Sequence, residues 1–142
     1  EWLLEKYGDS TVIVFDPKNN HHLRDEYFAI LEPYKERVLI KFFGDLISLF
    51  DDARARGFGA WGYAYEPNKT ATWWKDFVSG EHLDVLSMSW TASQEVYDQL
   101  KTSGKPIVSH IAGQPSHADA AAKKGATGTI ASGVSKFKPI QV

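Results

Sequence analysis

Six short apolar, β-branched runs recur along the 142-residue chain at nearly even intervals. They cover residues 11–18, 37–43, 59–65, 83–90, 105–111 and 127–132, and their starts lie 26, 22, 24, 22 and 22 residues apart. Runs this short and this continuously apolar have the character of parallel strands covered on both faces. A parallel partner must be reached through a crossover, and the spacing leaves room for one helix in each interval. The even rhythm therefore predicts an α/β fold of repeated βαβ units. The units share no residue signature, so the period is architectural and not a sequence repeat.

Helical patterns fill the intervals. Leu23, Tyr27, Ile30 and Leu31 mark one apolar face that Pro33 should end, because proline removes a helix hydrogen bond and clashes with the preceding turn. Leu46, Leu49, Phe50 and Ala53 mark the next, stopped by Gly57. Trp73, Trp74 and Phe77 form a short one before Gly80. Thr91 with Gln94 reads as a capping box ahead of Val96, Tyr97 and Leu100, with Gly104 as the stop. The last helix is expected over 116–124, ending at Gly125. Residues 1–7 resemble the end of a preceding helix, and Met88 is the only methionine, so the natural start is expected upstream. Nothing in the chain reads as a linker, so residues 1–142 are expected to form a single α/β domain.

Composition excludes several classes. The 16 basic and 18 acidic residues are scattered and leave a net charge of -2, with no basic stripe to neutralise nucleic-acid phosphates. No apolar run approaches the roughly 20 residues needed to cross a bilayer, and no leader-like segment opens the chain. With no cysteine, disulfides and thiolate chemistry are out, and the compartment stays open.

Uninterrupted β/α alternation suits either an open doubly wound sheet or a partial (β/α) barrel of the TIM type. No Gly-x-Gly-x-x-Gly fingerprint follows an early strand and no Walker-type loop occurs, which weakens a nucleotide-binding reading. In both architectures chemistry belongs at the C-terminal ends of strands. Val12, Val14, Asp16 and Lys18 share one parity, so valines facing inward would carry Asp16 and Lys18 inward at the mouth. A carboxylate and an ammonium there suit a hard cation and a phosphate oxygen, or form an internal ion pair. Lys41, in an otherwise apolar strand, sits at the site or snorkels at the rim. His110 at the end of the fifth run is a candidate phosphate contact. Tyr63, Tyr65, Glu66, Ser87, Ser89 and Trp90 end other strands, where aromatic residues more often pack the rim. The amides of Ser132 and Gly133 could meet an anion. His21 and His22 follow the first strand and read as a solvated loop, while His82 and His117 sit at helix boundaries.

Taken in order, these residues resemble the latter part of a glycerophosphodiester phosphodiesterase. Phe-Asp-Pro-Lys at 15–18 resembles that family's Glu-x-Lys strand end. Val-Leu-Ile-Lys-Phe-Phe with Leu46 resembles the next strand and its trailing leucine. The segment 104–113 resembles the one ending Trp-Thr-x-Asn, and Lys-Lys-Gly-Ala-Thr-Gly-Thr-Ile-Ala-Ser resembles the closing Gly-x-Asp-Gly-Ile-x-Thr-Asp. The resemblance implies a barrel, a small phosphodiester substrate and a divalent metal, calcium or magnesium. Asp16 would be a metal ligand, with Lys18, Lys41 and His110 around the phosphate. Asp16 replaces a glutamate, Ser109-His110 replaces Trp-Thr, and Thr127 replaces an aspartate.

The family's His-Arg-Gly motif, Glu-x-Asp pair and second histidine are absent. The chain is therefore expected to be the C-terminal portion of a metal-dependent phosphodiesterase, inactive alone, whose open strand edges meet a second copy or its own N-terminal half. The alternatives are a degenerate barrel that binds without catalysis, and an unrelated α/β domain with a ligand at a switch point.

Overall fold

The computed structural model describes residues 6, 12–18, 21–43, 47–64, 77–79, 81–133 and 136. The chain forms two compact units, one of residues 1–63 with 82–84 and one of residues 64–81 with 85–142.

In the first unit, β1 (Ile13–Phe15), β2 (Val38–Phe43) and β3 (Gly59–Ala64) pair in parallel, with Ile13 opposite Val38 and Lys41 opposite Trp61. Alternation along β2 and β3 separates two faces. Ile40, Phe42, Ala60 and Ala64 belong to one face and are fully buried. That face lies under helix α2 (Ile47–Ala55), where Phe42 meets Phe50 at 5.5 Å between ring centres. Helix α1 (Arg24–Leu31) buries Tyr27, Phe28 and Leu31, with Phe28 stacked on Phe58 at 5.1 Å.

Pro33 ends α1 as its missing N–H requires, and the chain continues as a 3-10 turn over Glu32–Arg37. Ile30, expected on the apolar face, is exposed together with Leu23, and Phe28 takes the buried place. Arg56 ties the two helices together. It donates to Asp25 at 2.8 Å and to Asp52 at 3.1 Å, and its guanidinium lies 4.6 Å from the Phe28 ring centre.

The other face of the first unit is only partly covered. Gly59 accommodates Leu39 there, since a Cβ at Gly59 would lie 2.5 Å from a Leu39 methyl. Val12 and Val14, whose parity would carry Asp16 and Lys18 inward if they faced into a barrel, are 62% and 43% exposed. Among the described residues β1 pairs with β2 alone, and no second layer lies over its valines.

In the second unit, β4 (Val85–Ser89), β5 (Ile107–Ala112) and β6 (Gly128–Ala131) pair in parallel, with a register shift between Ser109 and Ala112. Helix α3 (Gln94–Lys101) buries Val96, Tyr97 and Leu100, the face read from its spacing. Each such side chain contributes about 1.5–3 kcal/mol on burial. The N-cap of α3 is Ser93, whose hydroxyl accepts from the Val96 amide at 3.4 Å; Thr91 instead bonds Ser89 at 2.7 Å. Helix α4 (Pro115–Lys124) begins on proline, whose fixed φ suits a first turn, and ends at Gly125 with φ +114. Among the described residues no helix is long and apolar enough to cross a membrane.

The expected helix end over 1–7, together with Leu46, Tyr65, Glu66, Trp73, Trp74 and Gly80, lies largely outside the described residues, Lys6 being described.

Candidate functional site

The C-terminal ends of β1 and β2 bring three of the proposed residues together. Asp16 follows β1 directly, and its Oδ2 accepts from the Lys18 ammonium at 2.7 Å and from the Lys41 ammonium at 3.2 Å. Lys18 adopts the left-handed region at φ +54, which turns the chain so that its own amide also reaches Asp16 Oδ1 at 3.3 Å. Lys41 arrives from the neighbouring strand. Register places it beside Trp61, and its ammonium lies 4.5 Å from the Tyr63 ring centre and 5.9 Å from that of Trp61. A cation over aromatic faces is held by the ring quadrupole, which keeps Lys41 near Asp16 and away from the solvent rim.

Burial pushes the Asp16 carboxyl upward, but the hydrogen bonds from Lys18 and Lys41 outweigh it and hold the group below its ordinary value. Two ammonium groups thus flank one carboxylate at a strand mouth. Their excess positive charge can receive an anion. Beside them a cleft of about 370 Å³ is lined by Phe15, Asp16, Pro17, Lys18, Leu23, Glu26, Tyr27 and Ile30.

A divalent metal fits these residues poorly. Such an ion takes six or more oxygen ligands, whereas among the described residues no three His, Asp or Glu side chains converge. Asp16 also meets both ammonium groups through the same oxygen.

His110 belongs to the second unit, on β5, with its neighbour Ser87 on β4. Ser87 Oγ lies 2.6 Å from the Val108 carbonyl and 2.8 Å from His110 Nδ1. A carbonyl can only accept, so the single hydroxyl proton goes to Val108 and His110 Nδ1 must carry the proton in the other bond. Both side chains are buried. The pair is consequently not a nucleophilic Ser–His arrangement, in which the serine proton would point at the ring.

Other candidates take structural roles. Trp90 stacks on His117 at 3.8 Å, and His117 Nδ1 accepts from the Gly113 amide at 3.3 Å. Lys124 closes the same corner by donating to the carbonyls of Trp90 and Ala92 at 2.9 and 2.6 Å. The Ser132 amide donates to the Ala112 carbonyl at 2.9 Å, so it serves the backbone and not an anion. His82 pairs with Asp51 at 2.5 Å and precedes β4, so it does not stand at the C-terminal end of a strand. His22 is exposed in the turn His21–Leu23. Trp61 was not singled out from sequence; its signal was its place two residues before Tyr63, on the parity that leads to the mouth.

No protein-family model matches the chain, and no curated protein matches it. Solved structures do. One, from Silicibacter pomeroyi DSS-3 and assigned as a glycerophosphoryl diester phosphodiesterase, aligns with a TM-score of 0.68 at 14% identity, over 91% of this chain and 50% of that one. Another, from Agrobacterium tumefaciens C58 and assigned the same way, aligns with a TM-score of 0.53 at 15% identity, over 83% of this chain and 51% of that one. The chain spans about half the length of the solved structures it matches. The resemblance read from the sequence is thus present in the fold, which is α/β and of the partial TIM-barrel type.

Proposed function

We propose that this chain is the C-terminal part of a phosphodiesterase acting on glycerophosphodiesters, and that Lys18 and Lys41 bind the phosphate. One observation carries the reading: two ammonium groups from adjacent strands converge on Asp16 at the strand mouth, in a fold shared with two structures assigned to that activity. A phosphodiester oxygen suits such a pair because charge-assisted hydrogen bonds are the strong ones. Asp16 anchors the lysines. His110, expected from the sequence to meet the phosphate, lies in the second unit with its ring held by Ser87.

The reading requires catalytic groups from outside this chain. In-line hydrolysis needs a general base and a general acid, and the His-Arg-Gly and Glu-x-Asp motifs that would supply them do not occur in the sequence. Calcium or magnesium belongs to the complete enzyme, with ligands beyond the described residues. The exposed valines of β1 suit a covering segment, supplied by an N-terminal half or a second copy.

The decisive experiment compares this chain with the longest encoded protein in hydrolysis of glycerophosphodiesters, with and without calcium or magnesium. The expected result is metal-dependent turnover by the longer protein only. Phosphate binding without turnover by either would favour a second reading, a degenerate barrel that binds anions, which the completeness of the Lys18–Asp16–Lys41 cluster supports. No phosphate binding would remove both.

A further inference from the structure

We infer that the Trp61 indole N–H is a donor to the same anion that Lys18 and Lys41 bind, making Trp61 a positioning residue of that site. The inference rests on the phosphate-binding reading and adds a neutral donor to its two cations.

Trp61 is 7% exposed, and its Nε1 is buried with no hydrogen-bond acceptor among the described residues. Indole nitrogen only donates. A buried donor left unmatched is a standing cost, and few are tolerated in native structures without a use. Its position suggests the use. On β3 it lies directly opposite Lys41, whose ammonium is 5.9 Å from the indole ring centre. Towards the strand starts the same face is closed by Leu39 over Gly59; towards the mouth the next residue of its parity is Tyr63, whose ring lies 4.5 Å from the Lys41 ammonium.

The cation beside Trp61, Lys41, is a donor only, and the Asp16 oxygen that it meets is already shared with Lys18. An oxyanion brought to Lys41 would present lone pairs beside a tryptophan that has one proton to give. A phosphodiester suits the set, because its two non-bridging oxygens share a single charge and can accept from a cation and a neutral donor together.

The test is a nitrogen-15 spectrum of the indole region during titration with inorganic phosphate and, separately, with glycerophosphocholine. Trp61→Phe assigns the resonance, and cross-relaxation to the Lys41 and Tyr63 side chains assigns it in the unaltered chain should that variant fail to fold. The expected result is a saturable shift of the Trp61 proton that tracks occupancy. Binding by Trp61→Phe should be weaker by about three- to tenfold, the loss of one hydrogen bond. If phosphate binds and Lys41→Met abolishes binding while the Trp61 proton stays still, the inference fails and the lysine site stands. If neither ligand binds the unaltered chain, the phosphate reading itself fails. A response to inorganic phosphate alone overturns the diester fit, whereas a response to both ligands supports it.

Discussion

Ser87 accepts a hydrogen bond from His110 Nδ1 at 2.8 Å because its own proton is committed to the Val108 carbonyl at 2.6 Å. One hydroxyl thereby satisfies a backbone acceptor and fixes the imidazole tautomer. Ser87→Ala removes both bonds inside a buried strand pair and leaves the Val108 carbonyl and the ring nitrogen to find other partners. The expected cost is about 2–3 kcal/mol, since unmatched buried groups cost about 1–3 kcal/mol each and some relaxation follows. Urea denaturation reads it directly. A change below about 0.5 kcal/mol would mean that the pair contributes nothing to stability.

Asp16 predicts a pH dependence. Its carboxyl is held below the ordinary value, so the folded state binds its proton more weakly than the unfolded chain does. The stabilisation is fully present above the unfolded value, near 4, and is lost as pH falls through the lower folded value. Asp16→Asn should therefore cost about 1 kcal/mol at pH 7, a modest figure because Lys18 is largely exposed. The gap between variant and parent should narrow as pH falls below the unfolded value, near 4. Denaturation midpoints across that range test it, and a gap that persists unchanged at low pH would contradict the assignment to this carboxylate.

Lys18 separates stability from binding. Its side chain is 69% exposed, so its pairing with Asp16 adds little to folding. Lys18→Ala should shift stability by less than about 0.5 kcal/mol and weaken phosphate binding about three- to tenfold, the worth of one partly screened charge-assisted contact. Calorimetric titration with inorganic phosphate measures the second quantity. Unaltered affinity would remove Lys18 from the site.

The strand rhythm was legible because each strand is flanked by its own turn residues, and the six runs appear as β1 to β6, shortened at their ends except that β5 runs on to Ala112. Asp16, Lys18 and Lys41 were legible as strand-end residues, but their meeting on one oxygen was not. It depends on the β1–β2 register and on the positive φ of Lys18, and neither is a property of local sequence. The exposure of Val12 and Val14 was not legible for a related reason. Parity says which residues share a face, whereas burial depends on what lies across it. Trp61 escaped notice because an indole reads as packing until its nitrogen is seen to lack an acceptor.

Helix α3 offers the sharpest contrast between pattern and structure. Thr91 with Gln94 reads as a capping box, yet Ser93 makes the bond to the Val96 amide, and Thr91 is occupied with Ser89. The cap satisfies one of the amides left open at a helix start, an interaction worth about 1 kcal/mol. Ser93→Ala should lose about that much, and Ser93→Asp should lose little, because an acidic side chain caps and also favours the positive end of the helix. Thr91→Ala, exposed and outside the helix, should cost under about 0.5 kcal/mol. Thermal denaturation of the three variants decides between the two residues. A larger loss from Thr91→Ala than from Ser93→Ala would return the helix start to the position that the sequence pattern suggested.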